Sequence, residues 1–229
     1  MIRFGRCAAS IAAVVVAVLC APAGAAAQTY SGAGSPHAGS IEVSGGVVWI
    51  GGYGAGSSTA TESRNSSTTT TPLTLFTQSS RVGAVAGVDA RAGVYLSARI
   101  SAEGVFQFSR PTLRTSLRDD FENAAPIEAT GGVSSYVAGR SVLYHFGTGQ
   151  VVPFVAFGGG YVRQLDEDNA DVLTASEVHG GGGVKAWFGT PHHFGVRFDA
   201  QVSARSKAAG FEQKRRTLPV LSAGLVYLF

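Results

Sequence analysis

His179 and Glu177 stand two residues apart, the spacing that puts two side chains on one face of an extended chain. A histidine beside a carboxylate is the pair that general-base chemistry uses, with a hydroxyl nucleophile as the third member. The next position on that face is Gly181, so no His-x-Ser pattern forms, and a histidine bonded to neighbouring charges is the expected role. The other histidines do not converge on it: His37 lies near the N-terminus, while His145, His192 and His193 fall near short turns. Asp166, Glu167, Asp168 and Asp171 make an acidic loop without the glycine and distal glutamate of a calcium loop, and His192-His193 after Pro191 has no third ligand. No metal and no cofactor are expected. Cys7 and Cys20 are the two cysteines, both in an N-terminal stretch expected to be removed, which excludes thiol, cysteine-zinc and iron-sulfur chemistry from the mature chain.

The elements that carry these residues have period two. From Phe194 to Arg205, the residues Phe194, Val196, Phe198, Ala200, Val202 and Ala204 alternate with Gly195, Arg197, Asp199, Gln201, Ser203 and Arg205. One face is apolar and the other charged, the mark of a strand. Residues 95–110 repeat the pattern, and residues 40–50, 81–90, 132–146, 151–164, 174–188 and 215–229 fit it less perfectly. Eight strands are expected. Their connections alternate in length: 51–80 and 111–128 are long and 165–172 and 206–214 medium, whereas 91–94, 147–150 and 189–193 are short. Short turns at one end and longer loops at the other predict an all-β, eight-stranded antiparallel up-and-down transmembrane β-barrel with both termini at the short-turn end. A hairpin hidden in either long loop would make it ten-stranded.

Residues 1–27 read as a signal peptide, with Arg3 and Arg6 before the apolar run 11–19 and a small-residue cleavage site at Ala25-Ala26-Ala27. Residues 28–39 read as a flexible periplasmic leader, and residues 40–229 as the outer-membrane β-barrel. Taking Arg3 and Arg6 from the 18 basic residues leaves 16 against 15 acidic, so no basic stripe survives to suggest a nucleic-acid partner.

Glu42, Asp89, Glu103, Glu177 and Asp199 lie opposite the apolar stripes. They are matched by Arg99, Arg140, Arg163, Lys185 and Arg197 when strands 132–146 and 151–164 are read in that phase. In lipid a closed barrel with apolar residues outward is the one β solution that pairs every backbone group, so these ten charges are expected to face a common lumen. Five against five predicts mutual pairing that plugs it, whereas an ion-selective pore would show an excess of one sign. Aromatic girdles are expected at both ends, with Tyr95, Phe154, Phe188, Phe194, Tyr227 and Phe229 near the short turns and Trp49, Phe106 and Phe108 near the long loops. Leu218, Val220, Val226 and Leu228 make the inner face of the last strand more apolar than a water-filled lumen would want. Gly158 to Gly160 and Gly180 to Gly183 fall on neighbouring strands, where they predict local curvature or a smooth groove for a lipid chain. The Ser/Thr-rich run 57–71 reads as a flexible loop tip.

Leu221, Ala223, Leu225, Tyr227 and Phe229 alternate to a terminal phenylalanine, and Leu225, Tyr227 and Phe229 are similar to the assembly signal read by the insertion machinery of bacterial outer-membrane barrels. The run Val152-Pro153-Phe154-Val155-Ala156-Phe157-Gly158-Gly159-Gly160-Tyr161 resembles the glycine-rich fifth strand of small eight-stranded outer-membrane proteins. Across residues 40–229 the chain resembles the OmpA/OmpX-like outer membrane protein β-barrel domain. That resemblance implies a Gram-negative cell outer membrane with termini in the periplasm. It also implies as partners the barrel insertion machinery, outer-membrane lipid and lipopolysaccharide. No peptidoglycan-binding domain follows Phe229, so a two-domain tether is not expected. The expected role is structural or surface-interacting and not enzymatic. The alternatives are a narrow porin-like channel for small or apolar solutes and a lipid A-modifying enzyme.

Overall fold

The computed structural model describes residues 36–62, 73–121, 124–166, 172–189, 193–206 and 215–229. The expected signal peptide, most of the leader, most of the acidic loop and the tip of the Ser/Thr-rich run lie outside these residues.

Among the described residues eleven strands follow in chain order: β1 (Ile41–Ile50), β2 (Tyr53–Glu62), β3 (Leu73–Val82), β4 (Val85–Ser97), β5 (Ile100–Ser109), β6 (Thr112–Arg118), β7 (Ile127–His145), β8 (Val151–Asp166), β9 (Val172–Phe188), β10 (Phe194–Arg205) and β11 (Arg216–Leu228). Eight of them, in the order β1-β4-β5-β7-β8-β9-β10-β11, close into an antiparallel ring. The β1–β11 ladder closes it, from Glu42 opposite Leu228 to Ile50 opposite Val220. Closure leaves no exposed edge within the ring, which a barrel in lipid requires.

The remaining strands are continuations of the hairpins. After β1, β3 and β5 the chain breaks at Gly51-Gly52, Gly83-Ala84 and Arg110-Pro111, and resumes as strand beyond each break. The breaks are bridged by backbone bonds, Gly51 N to Pro219 O at 2.9 Å, Gly83 N to Thr112 O at 2.9 Å and Val133 N to Pro111 O at 3.0 Å. Beyond them β2, β3, β6 and the first part of β7 form a sheet that rises from one side of the barrel at the long-loop end. The long connections 51–80 and 111–128 therefore carry strands, yet the ring still has eight.

One short turn falls later than expected. Strand β4 does not stop at Ala90 but runs to Ser97, and the turn is Ala98-Arg99. The Ser97 hydroxyl accepts hydrogen bonds from the backbone N–H groups of Arg99 (3.3 Å) and Ile100 (3.1 Å), which closes the turn through a side chain.

Candidate functional site

Inward side chains fill the lumen in layers. Nearest the short turns, Tyr95, Val152, Trp187, Val226 and Leu228 form a buried apolar cluster beside Leu143, Phe154 and Ala156. At the other end Val48, Ile50, Leu218 and Val220 form another, with Tyr53 and Val85 packed on it. The apolar inner face of β11 thus supplies a seal at each end. Tyr53, just past β1, also receives a 3.3 Å hydrogen bond from Gln164 Nε2 on β8, the strand opposite β1 in the ring.

Between the seals lies a layer of buried charge. Lys185 Nζ, wholly buried, donates to both Glu42 oxygens at 2.7 and 2.6 Å, and the Tyr95 hydroxyl donates to Glu42 Oε2 at 2.9 Å. Arg197 grips Glu103 with Nη1 at 2.6 Å and Nη2 at 3.1 Å, and reaches Asp199 with Nε at 2.9 Å and Nη2 at 2.8 Å. Arg91 binds Asp89 at 2.7 Å, Asp199 at 3.2 Å and the Ser222 hydroxyl at 3.0 Å. The Phe154 ring lies under both Lys185 and Arg197, at 5.5 and 4.8 Å from the ring centroid. Gly183 makes room for that ring, because a Cβ there would come within 2.7 Å of Phe154 Cζ.

Nearer the long-loop end, Ser141 Oγ lies 2.8 Å from His179 Nε2, His179 Nδ1 lies 3.4 Å from Glu177 Oε1, and Arg205 Nε donates to Glu177 Oε2 at 2.8 Å. This has the order of a nucleophile, base and carboxylate relay. Gly158 permits it. That residue sits on β8 between Ser141 on β7 and His179 on β9, where a Cβ would fall 2.6 Å from His179 Nε2 and 2.7 Å from Ser141 Oγ. The adjoining cavity, lined by Gln107, Gln201 and Ser203 among others, has room for about one water and none for an ester substrate. Among the described residues no cluster of three or more His, Cys, Asp or Glu could hold a metal ion.

The outer face is apolar. Val43, Val47, Val88, Val142, Phe157, Val178, Phe198 and Leu225 are exposed along it. Aromatic rings gather at two heights: Phe106 and Phe108 both pack on Tyr136 toward the long loops, while the pairs Tyr144 with Phe146, Phe188 with Phe194 and Tyr227 with Phe229 ring the short-turn end. His193 stacks on Tyr227, its Nδ1 2.6 Å from the Leu228 carbonyl oxygen.

No protein-family model matches the sequence, and no curated protein does. Among solved structures, the outer membrane protein OprG from Pseudomonas aeruginosa superposes with a TM-score of 0.57 over 85% of this chain and 98% of that one, at 9% identity. The fold is that of a small outer-membrane β-barrel. Ail of Yersinia pestis in complex with the heparin analogue sucrose octasulfate is also similar (TM-score 0.46, 14% identity, 84% of this chain and 99% of that one). So is Neisserial surface protein A (0.42, 15%, 83% and 99%).

Seven of the ten expected lumen charges, Glu42, Asp89, Glu103, Glu177, Lys185, Arg197 and Asp199, are buried inside this barrel. Three are not. Arg99 is exposed in the β4–β5 turn because β4 is longer than its glycine-containing sequence suggests. Arg140 and Arg163 are exposed on the outside, since the inward positions of β7 are the odd-numbered ones and those of β8 the even-numbered ones. Two other cations, Arg91 and Arg205, are buried in the lumen instead, so among the described residues four buried Lys and Arg face five buried carboxylates where five against five was expected. Arg205 was visible on the polar face of β10. Arg91 was hidden in the segment read as a turn. Tyr95 and Phe154, expected in the short-turn girdle, point inward and are buried, whereas Leu225, Tyr227 and Phe229 are exposed on the outside.

Proposed function

We propose that this chain is an integral barrel of a Gram-negative outer membrane with a structural or surface-interaction role, its lumen closed by paired charges and its termini in the periplasm. Residues 1–27 would direct its export, and the insertion machinery and outer-membrane lipid would be its partners in assembly. The apolar outer face between two aromatic levels supports a lipid setting. The observation that carries the closed lumen is the Arg197–Glu103 pair, which joins β10 to β5, opposite strands of the ring. A channel would need that contact broken, and breaking it leaves a charge buried without its partner.

Two measurements test this. The protein solubilised in mild detergent migrates differently on a gel before and after boiling, as a closed barrel does, and an absent shift removes the barrel reading. In a planar bilayer the folded protein is electrically quiet. Steady, solute-selective conductance would replace the plugged barrel with a narrow channel.

A further inference from the structure

Arginines are concentrated on one outer side of the long-loop end, in two tiers. Arg163 on β8 is the register partner of Tyr136 in the upper aromatic level, and Arg110 is exposed two residues beyond Phe108, itself opposite Tyr136 on β5. Higher on the same side, in the sheet that rises from the barrel, Arg81 on β3 and Arg114 on β6 are register partners, both exposed on the outer face. Like charges directly opposite each other on adjacent strands destabilise a sheet. Among the described residues none of these four arginines has an ion pair. An ion pair on this face, Arg118 with Glu128 at 3.8 Å, lies further up the sheet.

Arg114 pairs in register with Thr130 on β7, six residues from Tyr136, so at roughly 3.3 Å per residue the upper tier stands about 20 Å along the strand from Arg163 and about 13 Å from Arg110. Four guanidinium groups, two at the aromatic girdle and two well above it, offer the charge and the forked donors that phosphate oxygens accept from. A glycerophospholipid carries its phosphate at one height and reaches only the lower tier. A phosphorylated glycolipid, with phosphate on its acylated sugars and again on its outer sugars, reaches both.

We propose that Arg110 and Arg163 with Arg81 and Arg114 form a two-tier binding face for the phosphate groups of lipopolysaccharide, docked against the outside of β3, β6, β7 and β8. This rests on the outer-membrane reading with the long loops outward. An anion lying between Arg81 and Arg114 relieves the repulsion of their juxtaposition.

The test uses the full mature chain, refolded in neutral detergent, with purified lipopolysaccharide carrying core phosphates, the same glycolipid stripped of its core, and phosphatidylglycerol vesicles as probes. Arg81→Gln with Arg114→Gln is expected to weaken binding of the core-phosphorylated probe by about tenfold or more while leaving the stripped one unchanged. Arg110→Gln with Arg163→Gln is expected to weaken both. Equal binding of all probes by wild type and variants, or phosphatidylglycerol bound as tightly as lipopolysaccharide, overturns the proposal. The heat-dependent gel shift, retained in every variant, shows that the barrel is folded. Protease access to the long loops on whole cells reports the orientation separately, so a periplasmic long-loop end would sink the outer-membrane reading without touching the binding result.

Discussion

Arg197 on β10 and Glu103 on β5 meet across the full width of the barrel, Nη1 to Oε2 at 2.6 Å and Nη2 to Oε1 at 3.1 Å. The two-pronged contact ties opposite walls together where both side chains are almost wholly buried. Its energetics are asymmetric, because the cost of desolvating each ion is offset chiefly by the other, with Arg91 at 3.4 Å from Glu103 and Asp199 at 2.8 Å from Arg197 as further partners. Glu103→Gln alone is expected to destabilise the barrel by about 3–5 kcal/mol, and the double variant Glu103→Leu, Arg197→Met by clearly less. Urea unfolding in lipid vesicles, read by the gel shift, checks this. A double variant worse than the single would show that Arg197 stabilises the fold more through Asp199, which it also holds, than through Glu103.

The Ser141–His179 contact depends on the absence of a side chain between them. A methyl group at Gly158 would collide with the Arg140 carbonyl oxygen as well as with His179 and Ser141. The carbonyl belongs to the ladder and cannot rotate away. Gly158→Ala is therefore expected to cost about 1–3 kcal/mol through overpacking, while Ser141→Ala, which only deletes a hydroxyl, costs about 1 kcal/mol. Denaturation midpoints compare the two, and the His179 ring nitrogen resonances should move in both. Unchanged resonances in Ser141→Ala would mean that the Ser141–His179 bond does not form.

How much of this was legible in the sequence depended on whether a strand has two different faces. β10 does, with Phe198 and Val202 outside and Arg197 and Asp199 inside, so its phase could be read directly. In β7 and β8 valine and glycine stand on both faces, so no apolar stripe set the phase, and the scattered inward polar residues Ser135, Ser141 and Gln164 were too few to mark Arg140 and Arg163 as outward. The turn after β4 was missed because Gly93 is a stronger turn signal than Ser97, although it is Ser97 whose hydroxyl closes the turn. The rising sheet was invisible for a related reason: Tyr53–Glu62 is glycine, serine and threonine on both sides, with no apolar stripe to reveal it. The Ser141–His179 contact spans three strands and follows from register, which composition does not encode.

Arg140 is exposed on the outside four residues from Tyr136 and four from Tyr144, midway between the two aromatic levels of β7. At roughly 3.3 Å per residue it lies about 13 Å along the strand from either, at the height where lipid tolerates a guanidinium least. Arg140→Leu is expected to stabilise the barrel by about 2–4 kcal/mol in bilayers and by much less in detergent, where water reaches the site. Urea titrations in both media measure the difference. Equal effects in the two would mean that this face does not meet the hydrocarbon core.

The lumen has its barriers in series, which gives an ordered prediction for conductance. Trp187→Ala opens the apolar cluster at the short-turn end, and Tyr53→Ala removes both packing on the opposite cluster and the reach to Gln164. Neither touches the layer in which Arg197, Glu103, Asp199 and Arg91 fill the cross-section. The two truncations, alone or together, are therefore expected to leave a planar bilayer quiet. Adding Arg197→Ser frees Glu103 and Asp199 from their principal partner in a lumen now open to water from both ends, and cation-selective steps should appear, because the carboxylates left behind outnumber the cations beside them. Conductance from Trp187→Ala alone would place the decisive barrier in the apolar seal, and anion selectivity in the triple variant would contradict the assignment of that layer.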